Sequence, residues 1–314
     1  MGKKRYERQV LLIKEEANEG VDSTPSAAAN SIPYFETIVP EIDHQQIDRG
    51  NPLDSLSPVK SLAGNRSIKL GFKSAFYGGG AAATPPRFGD VLEMCGFLET
   101  INAATSVVYT PASANLKTAT IYQYFDGLLF KSLGSVGTLK VGGKVGEPIF
   151  FEVQSQGLYQ DDADSALVTP QYGSNFNTPP QMKGITFTLD SIGTFILHEF
   201  NLDMGQAVIP RPDAKSVDGF AGFMLGKRNG SGNIIIELES KATYDFMAKM
   251  EAATQLAANI TTAAVAGNTL AINFNFTIGA PKIENAGGLA ILNLPVKLCR
   301  SADAGNDEIT FTQT

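Results

Sequence analysis

The chain states one pattern of elements twice, and internal repetition limits a fold more than composition does, because each copy must close its own sheet or lend an edge to a neighbour. EIDHQQIDRG, residues 41–50, is followed after a loop by GNRSIKLGFKS, residues 64–74. NLDMGQAVIPR, residues 201–211, is followed after a loop by GSGNIIIELES, residues 230–240. Each pair leads into a short amphipathic helical pattern and then back to strand-like runs. Ile42-Asp43 against Leu202-Asp203 and Gln46 against Gln206 are the best identities between the copies.

In the first copy, Ile68, Leu70 and Phe72 alternate as on a half-buried strand. Thr84 is the expected helix N-cap, with Pro85 at the first helical position. Phe88, Val91, Leu92 and Cys95 then share one helix face, and Gly96 stops it. Asp126-Gly127 predicts a tight hairpin. In the second copy, Ile234, Ile236 and Leu238 repeat the strand alternation. Phe246, Met247, Met250 and Ala253 mark a helix face, and Leu270, Ile272, Phe274 and Phe276 another strand. The expected organisation is an extended arm over 1–33, a first β module over 34–157, a long inter-module loop over 158–184 and a second module over 185–314. The arm is rich in small residues and turn formers and is expected to carry no core of its own, being either disordered or laid on a neighbour. The segment 159–181 has no periodicity, and long excursions of that kind are usually functional or disordered.

Composition fits this reading. The 31 glycines and 16 prolines favour a turn-rich β protein, and the absence of Trp leaves aromatic packing to Phe and Tyr. A net charge of -7 offers no basic footprint for tight phosphate binding. The two cysteines, Cys95 and Cys299, make neither a disulfide framework nor a zinc spacing and read as small buried hydrophobes. The apolar run at residues 10–13 is too short for a secretory segment or a membrane span, which points to a protein made in the cytoplasm without membrane insertion.

No pattern in the chain specifies catalysis, a cofactor or a metal. The Gly142-Gly143-Lys144 run lacks phosphate-loop spacing and carries Val145 where the hydroxyl residue belongs, so turn glycine is the expectation. His44 and His198 have no metal-ligand spacing and no nucleophile elbow beside them and read as surface or satisfied histidines. Asp161, Asp162 and Asp164 lack the calcium-loop pattern and read as a solvated acidic group.

The first half of the chain resembles the major tail tube proteins of long-tailed, siphovirus-like bacteriophages. Leu11, Leu12, Lys14, Glu16, Gly20, Asp22, Pro25 and Asn30 match the family's opening, and residues 40–49 its extended Pro-to-Arg segment. Gly89, Leu92, Cys95, Gly96 and Phe97 match its helix motif, although Phe88 and Val91 vary it. Tyr109, Pro111, Thr120, Ile121, Asp126, Gly127, Gly134 and Gly137 fit the family's next conserved stretch, and Lys117-Thr118 departs from it. The second half adds little by motif.

The resemblance implies a mainly β fold built of two tandem β-sandwich or barrel-like tail-tube modules, each with one flanking α-helix. It implies a virion structural protein, not an enzyme, assembled in the bacterial host cytoplasm into stacked rings around a DNA conduit. Two modules per chain predict three chains per ring, with pseudo-six-fold symmetry. The implied partners are other copies of the chain, a tape-measure protein in the lumen, tail terminator and distal tail proteins, and DNA in passage. The non-repeated segments supply the expected assembly contacts: Tyr6, Leu11, Leu12, Pro25 and Asn30 in the arm, and Tyr159, Tyr172 and Phe176 in the central loop. The alternatives are another tube or tail-tip component, of the type VI secretion kind, and a carbohydrate-binding β-sandwich of a virion.

Overall fold

The computed structural model describes residues 3–36, 38–50, 57–173, 176, 178–263 and 265–314. Part of the loop joining the first repeated pair, residues 51–56, lies outside them, as do 174, 175 and 177 of the central segment. The chain is mainly β. Its first half forms β1 (Gln9–Glu15), β2 (Ser31–Ile32), β3 (Glu41–Ile47), β4 (Leu62–Ala75), α1 (Gly89–Met94), β5 (Phe97–Asn102), β6 (Ser106–Pro111), β7 (Ala119–Phe125), β8 (Leu128–Lys144) and β9 (Phe150–Asp164). Its second half forms β10 (Thr186–Leu189), β11 (Leu197–Asp203), β12 (Val208–Pro212), β13 (Phe220–Leu225), β14 (Ser231–Glu237), α2 (Phe246–Glu251), β15 (Leu256–Thr261), β16 (Leu270–Ile278), β17 (Lys282–Ala286), β18 (Leu289–Leu298) and β19 (Ile309–Gln313).

The strand pairings described here are antiparallel. In the first half, neighbouring strands run β3–β4–β9–β8–β7–β1. In the second they run β11–β14–β18–β16–β15–β10, with β17 carrying β16 onward along the edge of β18. The two series share one order, and each helix follows the second strand of its series. The hairpin β5–β6 has no counterpart among the described residues of the second half. Two joints weld the series together. β11 lies between β8 and β14, and β19 lies between β16 and β6. β12 and β13 form a separate ribbon.

A single hydrophobic cluster runs from Leu11 to Phe311 and takes in Ile68, Leu70, Phe72, Leu270, Ile272, Phe274 and Phe276. The alternation expected for β4 and β16 therefore holds residue by residue. Leu238 does not follow it: β14 ends at Glu237, and the Leu238 side chain is exposed. A second cluster, of Val10, Leu12, Tyr122, Tyr124 and Leu129, lies on the opposite face of β1, β7 and β8, covered by Ala27, Leu167 and Val168.

Helix α1 buries Val91, Leu92, Met94 and Cys95, and Gly96 ends it at φ +85°. It starts at Gly89 rather than after Thr84. The Gln313 amide donates to the carbonyls of Ala81 (3.2 Å) and Thr84 (3.0 Å), and Ala83 adopts φ +59°, so residues 81–84 are held out of helical geometry. Helix α2 is a turn and a half, capped by Asp245 accepting from Ala248 N at 3.1 Å. Phe246 is its buried residue, and Met247 faces solvent. The expected face stops short of Ala253, which is exposed and adopts φ +46°; Leu256, Ala258 and Ile260 then alternate with period two in β15 beside β16. Asp126 and Gly127, at φ +39° and +93°, form the β7–β8 hairpin turn.

Two expectations about the chain's organisation also need correction. The arm is not laid out for a neighbour: β1 is a core strand with seven residues paired to β7, and β2 pairs with β1. A strand covered on both faces reads as an unbroken apolar run, which is why residues 10–13 carry no alternation. The central segment is not a loop from its start. β9 continues to Asp164 against β8, so residues 158–164 are strand.

Candidate assembly interface

An antiparallel series leaves its first and last strands with unpaired backbone groups on one side, and those edges are where another chain can add. Among the described residues, β3 pairs only with β4, and all seven of its residues are exposed. β17 pairs only with β18, and all five of its residues are exposed. Both belong to hairpins whose roots are buried and whose ends project from the body. In β4 burial begins near Ser67 and Ile68, and in β18 at Ile291. Isoleucines stand on both edges: Ile42 is 42% exposed, Ile47 44% and Ile283 65%. Exposed β-branched residues on an uncovered edge are an aggregation hazard unless something covers them.

The projecting hairpins are held by local chemistry. Arg66 forms ion pairs with Asp218 and, at 2.8 Å, with Asp161, while its guanidinium lies 5.3 Å from the centre of the Tyr159 ring. This ties the root of β3–β4 to β9 and to the β12–β13 ribbon. Lys69 reaches Asp43 across the hairpin at 2.9 Å. At the other hairpin, Asn285 Oδ1 accepts from Gly288 N at 2.7 Å and fixes the turn before β18.

The residues expected to make assembly contacts fall mostly inside the chain. Leu11 and Leu12 are buried in β1 and offer no surface. Pro25 is buried. Asn30 spends its side chain on Ser26 N at 3.1 Å and its carbonyl on Ile13 N at 3.0 Å. Tyr159 is buried, donating to Asp162 at 2.8 Å. Tyr172 is half-buried and stacks on Phe176 at 4.7 Å, beside a cavity of 470 Å³ that Tyr77 and Arg87 also line. Tyr6, 53% exposed and packed edge-on to Phe125, and Phe176, 38% exposed, do reach solvent. The arm and the central segment mainly satisfy each other: Gln171 N donates to Ala27 O at 3.2 Å, and Leu167 and Val168 cover the second cluster.

Other candidates from the sequence take structural places. Gly142 and Gly143 lie within β8 rather than in a turn, where a Cβ on Gly142 would meet Phe200 O of β11 at 3.0 Å and one on Gly143 would meet Met182 Cγ, from the segment between β9 and β10, at 2.6 Å. His44 sits on exposed β3, and His198 lies 3.3 Å from Glu237. Cys95 is buried and Cys299 half-buried, both as free thiols.

Sequence reasoning missed a carboxylate group at the base of α1. Glu15, Asp90 and Glu93 place oxygens within 4.8 Å of one another, the one such trio with metal-holding geometry among the described residues. Lys117 already fills it, with Nζ 2.9 Å from both Glu15 and Glu93. Burial raises the Asp90 carboxyl to about 6 and that of Glu93 to about 7, against the pull of Lys117. The arrangement anchors α1 on β1. The residues come from three separate segments, and no sequence spacing announces them. No helix among the described residues is long and apolar enough to cross a membrane.

No protein-family model and no curated protein matches the chain. The class that the fold itself defines is a mainly β protein of antiparallel sheets, welded through two strand joints, with β3 and β17 among its uncovered edges.

Proposed function

We propose that the chain is a structural tail tube protein that assembles with copies of itself into stacked rings around a conduit for DNA. The reading is carried by one observation. The strand order β3–β4–β9–β8–β7–β1 recurs as β11–β14–β18–β16–β15–β10, and the two series are joined edge to edge through β8 and β11. Two equivalent units in one chain, linked head to tail, form a segment of a ring whose contact is heterologous and closes by rotation. Three chains then supply six units. The N-terminal resemblance supports the same reading independently of the strand order.

The net charge of -7 suits a conduit. Carboxylates facing a lumen repel phosphates across a Debye length, roughly 8–10 Å at physiological salt, so DNA passes without sticking. A tape-measure protein in the lumen, with terminator and distal tail proteins at the ends, completes the proposed set of partners. Negative-stain electron microscopy of the purified protein, with mass measurement of any rings, tests this reading. Hollow rings or tubes with three chains per ring are expected. Six chains per ring overturns the two-unit stoichiometry, and a protein that stays monomeric at high concentration, alone and with its phage's tail-initiating proteins, overturns the tube.

A further inference from the structure

We infer that β17 of one copy pairs antiparallel with β3 of the next, repeating between chains the joint that β8 and β11 make within one. The inference rests on the two-unit reading above and adds the strands that meet. The joint inside the chain is the template. The far end of β8 holds β9 on one edge and β11 on the other, in five pairs from Lys140↔Asp203 to Lys144↔Glu199. A lysine–aspartate contact, Lys140 to Asp203 at 3.6 Å, crosses it. In general terms, the first strand of one series lies on the free edge of the fourth strand of the other.

Each chain holds both halves of a second such joint, and neither is used. β3 is the first strand of its series, as β11 is of its own, yet among the described residues nothing pairs with its outer edge. β17 stands where the far end of β8 stands. After a break at residues 279–281, bridged by Gly279 N donating to Pro295 O at 2.7 Å, it continues β16 along β18 with Lys282↔Asn293 through Ala286↔Leu289. The far end of β8 runs along β9 in the same way, from Thr138↔Gln154 to Gly142↔Phe150. The lengths agree: five pairs in the existing joint, five residues in β17, seven in β3. Pairing would also cover Ile42 and Ile283, which the isolated chain leaves in solvent.

Transferring the template by its pairings sets the register. Leu202 faces Val141 in the joint and Gly232 in β14, as Ile42 faces Ile68 in β4, and following β4, β9 and β8 against β14, β18 and β17 brings Asn285 to the place of Val141. Asn285 of one copy therefore faces Ile42 of the next. Each chain gives β17 and receives on β3, so both of these edges are satisfied once the ring closes.

Paired cysteines test this. In a Cys299→Ser background, Ile42→Cys and Asn285→Cys are combined in one chain, with Ile42→Cys/Ile283→Cys and His44→Cys/Asn285→Cys as further pairs on the same faces that absorb a two-residue slip in either direction. Cys95 remains, buried and with its thiol pushed up by burial, out of reach of the oxidant. All four positions lie on exposed strands, and far-UV circular dichroism checks that the variants fold like the parent. Mild oxidation at assembling concentration should give a disulfide-linked ladder ending at the ring's chain number, while single-cysteine chains stop at dimers or stay monomeric. Rings or tubes with no ladder from any pair overturn this edge pairing and leave the tube reading standing. A ladder without hollow rings upholds the pairing and sinks the tube. Monomers with neither ladder nor rings overturn both.

Discussion

Phe151 of β9 meets Phe311 of β19 edge to face, with ring centres 5.4 Å apart. Phe311 also lies 5.3 Å from Phe97, so the last strand of the chain is anchored in the first half's core. Two halves that could fold alone would not share such a residue. Phe311→Ala should therefore cost about 3–5 kcal/mol, the usual loss for a fully buried phenylalanine. In urea, far-UV circular dichroism and tyrosine fluorescence should report one coincident transition for the parent, shifted as a whole in the variant. Two separate transitions, only the second of them moved, would show independently folding halves.

Among the described residues of the first half, Glu16 is a heavily used carboxylate. It is 5% exposed, and its oxygens accept from Gly134 N at 2.8 Å, Thr120 Oγ1 at 2.8 Å, Gly20 N at 2.8 Å and Thr118 Oγ1 at 2.7 Å. Removing it strands four donors, so Glu16→Ala should cost about 3 kcal/mol or more, and Glu16→Gln roughly half, because the carboxamide keeps one accepting oxygen. Urea midpoints with an unchanged slope measure this. Equal loss from both substitutions would mean that the site senses volume rather than acceptors.

Strands covered on one face were legible because their period is two. Ile68, Leu70 and Phe72, and the run from Leu270 to Phe276, announce the side they bury. β1 was not legible for the opposite reason. Leu11 and Ile13 enter the main core while Val10 and Leu12 enter the second cluster, so burial on both faces erases the alternation and leaves a run that a membrane-span test merely rejects. Helix α2 was overdrawn by including Ala253, whose left-handed φ of +46° ends the helix after Glu251, a turn that alanine does not announce in the sequence. The interface was half legible. EIDHQQI was singled out by repetition, but that its edge is free and that β17 shares the condition are facts of pairing, and pairing joins segments that no local pattern connects.

The turn at Asp126 and Gly127 gives a sharper local test. Both residues have φ above zero, Asp126 accepts from Arg5 N at 2.6 Å and from Arg8 at 2.8 Å, and Gly127 O accepts from Ser165 N at 3.1 Å. The left-handed conformation at Gly127 strains any side chain, so Gly127→Val should cost about 1–2 kcal/mol with no buried contact removed. Gly146→Val, at φ +88° with open space around it, is the matched control and should cost a similar amount. A much larger loss at Gly127 would locate the cost in the contacts of residues 3–8 rather than in backbone strain.

The carboxyl groups at the base of α1 should give stability an inverted pH dependence over the weakly acidic range. Burial raises Asp90 from 3.8 to about 6 and Glu93 from 4.5 to about 7. Below about pH 4 both groups carry their protons in the folded and the unfolded chain, and their contribution is fully present. As pH rises past the unfolded values, the unfolded chain releases protons that the folded chain still holds, so the contribution falls until the folded groups release theirs near pH 7. Asp22 and Asp190, whose folded values are lowered, work in the other direction below pH 4, so the effect is isolated by difference. Glu93→Gln removes the larger of the two shifts while keeping the shape of the side chain. Thermal midpoints of parent and Glu93→Gln protein, measured from pH 4 to pH 8, should diverge in favour of the variant as pH rises and run level above about pH 7. Parallel curves across the whole range would mean that Lys117, 2.9 Å away, holds Glu93 ionised throughout and that its attraction outweighs burial.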